Sequence, residues 1–280
     1  MRTFKASIQD YRVICESDNH SCSPIPLLRD NDGDHIIYCL SPIHGRSFVL
    51  KQGQTYMPWT IGKGNGLSYT NKPLVKTTPD FTDTWGGLTL DSAIRDFKIC
   101  MEVNQLGIQT NRMDYVLELD FDILQNGNSQ RAALLQYSVQ CPYRISDYGF
   151  VPHLVMQDAI TSWKELTTKS YNDRYLIAAD VLLRNLRIMH DNNIMHNALH
   201  PQNYTWALEL LDFEASRSDK CPYSSSEYET NVAYLFDMEI LQTYEVINYI
   251  AWCLGEKIDY TILDRLFEEY GFGINELRIT

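Results

Sequence analysis

The stretch that decides the fold is Met195-His196-Asn197-Ala198-Leu199-His200-Pro201-Gln202-Asn203-Tyr204, followed by Leu208-Glu209-Leu210-Leu211-Asp212-Phe213-Glu214. It comes directly after a segment whose apolar residues recur at helical spacing, Arg174–Asn192. A polar loop therefore follows a long helix and leads into a short apolar strand that ends at Asp212. The amide oxygen of Asn203 and the carboxylate of Asp212 are hard oxygen ligands, the kind that Mg²⁺ prefers. We interpret these two residues as candidate metal ligands.

The segments on either side of this stretch differ in their periodicity. Short apolar runs bounded by turn formers predict strands, and longer amphipathic segments predict helices. The predicted strands are Ile36–Leu40, Ser47–Leu50, Tyr115–Leu119 and Ala132–Val139, with a hairpin turn at Asn126-Gly127-Asn128. The predicted helices are Leu90–Leu106, Arg174–Asn192, Asn231–Leu254 and Thr261–Tyr270. Residues 1–35 are too irregular to assign.

This order of elements predicts an α+β protein with two lobes and a cleft between them. Residues 1–140 would form a strand-rich N-lobe with one long helix and a Gly-rich loop, and residues 141–280 a helical C-lobe. Within the Gly-rich stretch, Gly62-Lys63-Gly64-Asn65-Gly66 is either a phosphate cradle or a mobile loop, because it lacks the order of residues found in P-loops.

Composition excludes several classes of protein. The chain has 280 residues, with 24 Lys and Arg against 36 Asp and Glu, a net charge of -12 that disfavours nucleic acid as a partner. Its seven cysteines are scattered without metal-like spacing, which fits a reducing compartment. The N-terminus has no apolar signal region, and no segment approaches a membrane span. We therefore expect a cytoplasmic protein without a membrane partner.

Two segments of the sequence resemble motifs of known protein families. The letters HNALHPQN…LLDFE are similar to HGDLHPGN…IDFE of the aminoglycoside-phosphotransferase and choline-kinase group, within the protein-kinase-like fold. The segment SAIRDF, continuing to LGIQT, resembles the S-x-I-R-E-F…L-G-I-P-T helix of selenoprotein O, a kinase-like family that transfers AMP to proteins. With a third similarity at Lys51-Gln52-Gly53, these motifs span Lys51 to Glu214. They imply a two-lobed protein-kinase-like fold.

The resemblance also implies roles for residues of both lobes. The Lys51-Gln52-Gly53 segment is similar to the L-K-G strand end of selenoprotein O, so Lys51 and Gly53 would contact the nucleotide. Asp96 would be the helix carboxylate that pairs with Lys51, one methylene shorter than the usual Glu. Arg144 is a further candidate for phosphate contact. The implied cofactors are ATP and Mg²⁺, the latter held by the Asn and Asp identified above.

The loop departs from these families at the position of the base. Ala198 stands where a typical kinase has the Asp that accepts the proton of the substrate hydroxyl, and Gln202 stands where selenoprotein O has a carboxylate. His200 and His196 are the remaining catalytic candidates in the loop, because an imidazole titrates near neutral pH. For His196 the structural role is the preferred interpretation.

Three functions remain open. The first is an ATP- and Mg²⁺-dependent transferase that moves AMP or phosphate to a protein or small-molecule acceptor, since positioning and charge neutralisation supply most of the catalysis. The second is a pseudokinase that binds or regulates without chemistry. The third is an ATP-activating step in biosynthesis, whose carboxylate acceptor is already ionised and needs no base.

Overall fold

The computed structural model describes residues 2–20, 22–40, 46–53, 58–66, 86–125, 127–222 and 232–273. Contacts divide the chain into two compact units. The first unit comprises residues 1–101 and 111–142, and the second comprises residues 102–110 and 143–280. The short segment 102–110 therefore belongs with the helical half, although it precedes two strands of the first unit.

In the described residues, the first unit is built on one antiparallel sheet of eight strands. The strands are β1 Arg2–Ile8, β2 Tyr11–Glu16, β3 Leu27–Arg29, β4 His35–Cys39, β5 Ser47–Lys51, β6 Trp59–Lys63, β7 Arg112–Gln125 and β8 Asn128–Val139. Their order across the sheet is β2-β7-β8-β6-β5-β4-β1-β3. Each pair of neighbours is antiparallel, including pairs that are distant in sequence such as β2 with β7 and β6 with β8.

The centre of the sheet is the long hairpin of β7 and β8. Gly127 has a φ of 73° at the turn, a left-handed conformation that glycine adopts without steric cost. Away from the turn, β8 is buried continuously from Ala132 to Val139. This strand lies inside the sheet, with β7 on one side and β6 on the other. Two groups of apolar residues pack in this unit: one around the hairpin, with Leu28, Leu117, Leu119 and Leu134, and one with Ala6, Leu27, Ile37 and Phe48.

The helices are α1 Leu90–Gln105, α2 His153–Ser162, α3 Arg174–Asp191, α4 Val232–Leu254 and α5 Tyr260–Glu269. In the second unit, α3 is the core helix, with nearly every side chain from Tyr175 to Leu186 buried. Helix α5 begins at Asp259, whose carboxylate accepts the N–H groups of Thr261 and Ile262 as an N-cap. In the part of the chain that the structure describes, no helix combines the length and the apolar composition needed to cross a membrane.

A buried carboxylate ties three parts of the second unit together. Asp180 on α3 is 3% exposed, and it accepts hydrogen bonds from the hydroxyls of Thr167, Tyr171 and Tyr270. The ammonium of Lys169 lies 3.2 Å from the same carboxylate. Burial acts to raise the pKa of Asp180, but these donors outweigh it and lower the pKa below its usual range. The network therefore fastens the segment after α2 and the end of α5 to the core helix.

The fold confirms the α+β prediction and most of the predicted elements. The predicted strands lie within β5, β7 and β8, and Ile36–Leu40 runs one residue past the end of β4. The predicted helices coincide with α1, α3, α4 and α5 within a few residues. Asn126 of the predicted turn lies outside the described residues. Strands β1, β2 and β3 occupy the region that the sequence leaves unassigned, and β6 replaces the predicted Gly-rich loop at Trp59–Lys63.

Candidate functional site

A buried ion pair joins the sheet of the first unit to helix α1. The Nζ atom of Lys63, at the end of β6, lies 2.6 Å from Oδ2 of Asp96. Each of the two side chains is only 2% exposed. Lysine is almost never buried unless it is paired, because removing its charge from water costs several kcal/mol. The carboxylate of Asp96 therefore fixes the position of a buried cation.

The glycines around Lys63 permit close packing. A Cβ atom at Gly62 would lie 2.3 Å from Oδ1 of Asn65, and one at Gly64 would lie 2.6 Å from the carbonyl oxygen of Ala133. The Asn65 side chain in turn donates to the carbonyl of Leu27. Residues 62–66 are all buried: Gly62 and Lys63 end β6, and residues 64–66 form the packed turn directly after it.

The predicted pair of Lys51 with Asp96 is also wrong. Lys51 ends β5 and is exposed, whereas the carboxylate of Asp96 is paired with Lys63 on the neighbouring strand. Gly53, the other residue of the predicted strand end, is half-buried beyond β5. A signal for Lys63 was present in the sequence: the β-forming run Trp59-Thr60-Ile61 leads directly into Gly62-Lys63.

In the second unit, the loop His196–Asn203 and the segment that ends at Asp212 are joined by backbone and side-chain hydrogen bonds. The N–H of Leu211 donates to the carbonyl of Asn203 at 2.8 Å. The carbonyl of the same Leu211 lies 2.9 Å from Nε2 of His196. Both backbone groups of the residue before Asp212 are thus held by the loop. The two predicted metal ligands, Asn203 and Asp212, are brought to one place in the second unit.

The backbone at Asp212 is left-handed, with φ 68° and ψ 66°. A non-glycine residue in this region costs of order 1–3 kcal/mol and persists where the surroundings hold it. The bonds to Leu211 supply that restraint. Such strained residues cluster at functional sites. Among the described residues, the non-glycine positions with positive φ are Asn193, Asn197, Leu208 and Asp212, and of these Asp212 carries the carboxylate.

The side-chain amide of Asn203 is fixed by a hydrogen bond within the loop. Its Nδ2 lies 2.9 Å from the carbonyl of Ala198, and because a carbonyl only accepts, the amide N–H must face it. The Oδ1 atom then points elsewhere, and no described residue donates a hydrogen bond to it. An oriented amide oxygen and a nearby carboxylate fit a hard cation such as Mg²⁺ when nucleotide phosphates complete its coordination.

His196 is a structural residue in this loop. Its side chain has no exposed surface, and its Nε2 must carry the proton that bonds the Leu211 carbonyl. The Nδ1 atom has no partner among the described residues. Burial lowers the pKa of His196, so the ring is neutral. The predicted catalytic use of His196 has no exposed atom to act through.

His200 is half-buried and caps the short turn Pro201–Asn203. Its Nδ1 accepts the N–H of Gln202 at 3.3 Å, which leaves the proton of the neutral ring on Nε2. Burial lowers its pKa, the nearby carboxylate of Asp212 acts in the opposite direction, and the charge of Arg144 lowers it further. His200 can therefore donate a hydrogen bond from Nε2 while its accepting nitrogen is engaged with the backbone.

Arg144 lies against the same loop. Its Nη1 donates to the carbonyl of Gln202 at 2.8 Å, and its backbone N–H is held by the carboxylate of Asp147 at 3.0 Å. The N–H of Ile145 donates to the carbonyl of Tyr204. The predicted phosphate residue thus lies beside the predicted metal ligands, with one side of its guanidinium group bonded to the loop.

In the described residues, no group of three or more His, Cys, Asp and Glu side chains is arranged to hold a metal ion. A site of one amide, one carboxylate and phosphate oxygens does not require such a group. No model of a known protein family matches the sequence, and no curated protein matches it. The geometry of the two units and the sequence motifs therefore carry the functional argument.

Proposed function

We propose that the chain is an ATP- and Mg²⁺-dependent transferase of a two-lobed kinase-like fold, which moves AMP or phosphate from ATP to a protein or small-molecule acceptor. The observation that carries the proposal is the bond between the Leu211 N–H and the Asn203 carbonyl. It supports a metal site because it joins the backbone of Asn203 to that of Leu211, the residue before Asp212. Bound Mg²⁺ would neutralise the charge of the phosphates.

Within the first unit, Lys63 takes the place that the sequence motif assigned to Lys51, that of the lysine paired with a helix carboxylate. Its support is the 2.6 Å pair with Asp96 on α1, the kind of lysine–carboxylate pair that kinases have. In the second unit, Arg144 supplies a cation beside the loop that carries Asn203, because its guanidinium group donates to the carbonyl of Gln202.

The loop offers positioning more than proton transfer. Ala198 has no group to accept a proton, and the accepting nitrogen of His200 is bonded to the Gln202 N–H. In phosphoryl transfer most of the catalysis comes from positioning and electrostatic stabilisation, so the reaction would be slow and still metal-dependent. His200 would contribute as a hydrogen-bond donor to the reacting phosphate or the acceptor.

The second candidate is a module that binds nucleotide without transferring any part of it. Ala198 and the fully buried ring of His196 favour this function, because both remove a group that could take a proton. It predicts saturable binding of ATP with no label transferred at high protein concentration. The first candidate predicts slow, metal-dependent transfer.

The test is calorimetric titration of ATP with Mg²⁺ into the full chain and into Asp212→Ala. We expect saturable binding that weakens about tenfold or more in the variant, in line with the loss of a metal ligand. Asp219→Ala is the matched control, since Asp219 is an exposed carboxylate seven residues farther along the same segment. Absence of binding in every protein would refute both functions. Incubation with α- or γ-labelled ATP then identifies the group transferred, if any.

A further inference from the structure

Helix α4 presents two hydrogen-bond acceptors to the loop that carries Asn203. We propose that Glu239 and Gln242 are positioning residues that fix the orientation of the Asn203 amide and so the metal affinity of the site. The inference rests on the proposed function, because it concerns the metal ligand of that site. Residues 239 and 242 are three apart on a helix and therefore share one face.

Glu239 holds the start of the loop. Its Oε1 accepts the N–H of Asn197 at 2.7 Å, and its Oε2 lies 2.8 Å from Nε2 of His190 at the end of α3. The side chain is 1% exposed. Asn197 has a φ of 62°, a left-handed conformation that needs restraint from its surroundings. The buried carboxylate supplies that restraint at the first residue after His196.

Gln242 acts one peptide unit farther along the loop. Its Oε1 accepts the N–H of Leu199 at 3.0 Å. That N–H and the carbonyl of Ala198 belong to the same planar peptide unit and point in opposite directions. The carbonyl of Ala198 in turn accepts Nδ2 of Asn203 at 2.9 Å. One rigid plane thus connects the side chain of Gln242 on α4 to the amide of Asn203.

The hydrogen bond from Gln242 therefore controls the orientation of the Asn203 amide through the Ala198–Leu199 peptide. Rotation of the Ala198–Leu199 peptide would move the acceptor of the Asn203 amide, and Oδ1 of Asn203 would turn with it. The bond from Gln242 opposes that rotation from one side, while Glu239 holds the preceding residue. The two helix residues therefore act on the metal through Asn203 and need not touch the metal or the nucleotide.

The experiment measures ATP affinity with and without Mg²⁺ in the full chain, and takes the ratio as the metal-dependent gain. For Gln242→Ala we expect the gain to fall about fivefold to tenfold, the effect of one lost hydrogen bond. The affinity for metal-free ATP should stay within about twofold of the wild type. Gln242→Glu keeps an oxygen acceptor at the same place and should restore most of the gain. Glu245→Ala, an exposed position on the same helix, is the control.

The outcomes separate this inference from the proposed function. A wild-type protein with no metal-dependent gain refutes the proposed function and the inference with it. A gain that is the same in wild type and Gln242→Ala overturns the inference alone. So does an equal loss of affinity with and without Mg²⁺, which a general structural defect would cause. Amide exchange provides a second measurement: the Leu199 N–H should lose protection in Gln242→Ala, and unchanged protection would also overturn the inference.

Discussion

Substitution of Asp96 by Asn tests the buried pair of the first unit. The change keeps the shape of the side chain and leaves the ammonium of Lys63 facing a neutral amide at a distance of 2.6 Å in the wild-type geometry. Breaking a buried ion pair at one partner costs about 3–5 kcal/mol, because the other charge stays buried. We expect the free energy of unfolding at pH 7 to fall by that amount.

The loss of stability caused by Asp96→Asn has an upper limit, or ceiling, that depends on pH. An ordinary lysine loses its proton near pH 10.4, so removing that proton at pH 7 costs about 4.6 kcal/mol. The folded variant can lose this proton and bury a neutral Lys63 amine. Each rise of one pH unit lowers the free energy needed to remove the proton by about 1.4 kcal/mol. The unfolded chain then binds more protons than the folded chain, so the variant gains stability as pH rises. At pH 9 the ceiling is about 1.9 kcal/mol.

The assay is urea denaturation of wild type and Asp96→Asn at pH 7 and pH 9, followed by tryptophan fluorescence and circular dichroism. Lys63→Met should cost a similar amount at pH 7, and the double variant should cost less than the sum of the single ones. Lys51→Met is the matched control, and its exposed side chain predicts a change within about 0.5 kcal/mol. A loss below 0.5 kcal/mol for Asp96→Asn at pH 7, or a loss that does not shrink at pH 9, would refute the reasoning.

Three further predictions concern other contacts. Asp180→Asn should lower stability by about 2–3 kcal/mol near pH 7, since hydrogen bonds to a charged group are lost. Because the pKa of Asp180 is lowered in the folded state, the stability difference between wild type and Asp180→Asn should be present above about pH 4. It should vanish as the pH falls through the folded pKa, and denaturation curves at a series of pH values would measure it. His196→Phe leaves the buried carbonyl of Leu211 without its hydrogen-bond donor, and thermal unfolding should show a loss of stability of about 1–3 kcal/mol. The same variant should weaken Mg²⁺-dependent ATP binding. Gly62→Ala should cost about 1–3 kcal/mol by urea denaturation, while Gly149→Ala, with open space around its Cβ, should stay within about 0.5 kcal/mol; equal effects would contradict the close packing.

Periodicity in the sequence is sufficient to locate the helices and strands that bury one continuous face. The helix Leu90–Gln105 and the hairpin around Gly127 fall in this class, and the prediction located both. Strand β1, Arg2–Ile8, was not found because most of its side chains are exposed or half-buried, so no apolar run marks it. Strand β6 was missed because its last two residues, Gly62 and Lys63, read as part of a loop. Their burial comes from neighbouring strands distant in sequence.

The choice between Lys51 and Lys63 shows the limit of local pattern at the site. Both lysines follow an apolar run, and both have a glycine within two residues. What distinguishes them is the partner: Asp96 lies 33 residues from Lys63 in sequence, and their contact depends on how α1 packs on the sheet. The missing side chains at positions 62 and 64 also leave room for Asn65 and for the Ala133 carbonyl, which no spacing rule reports.

Residue type and order predict Asn203 and Asp212 as metal ligands, whereas the orientation of the Asn203 amide depends on contacts that no motif contains. The orientation of the Asn203 amide depends on the Ala198–Leu199 peptide plane, and that plane depends on a glutamine 43 residues farther along the chain. A sequence that keeps the loop and changes Gln242 to a residue without an acceptor would keep the motif and lose this support. The Gln242→Ala and Gln242→Glu pair therefore asks whether the motif alone, or the motif with its helix acceptor, makes the metal site. If the alanine variant binds Mg²⁺ with ATP as the wild type does, the ligands of the loop are sufficient by themselves.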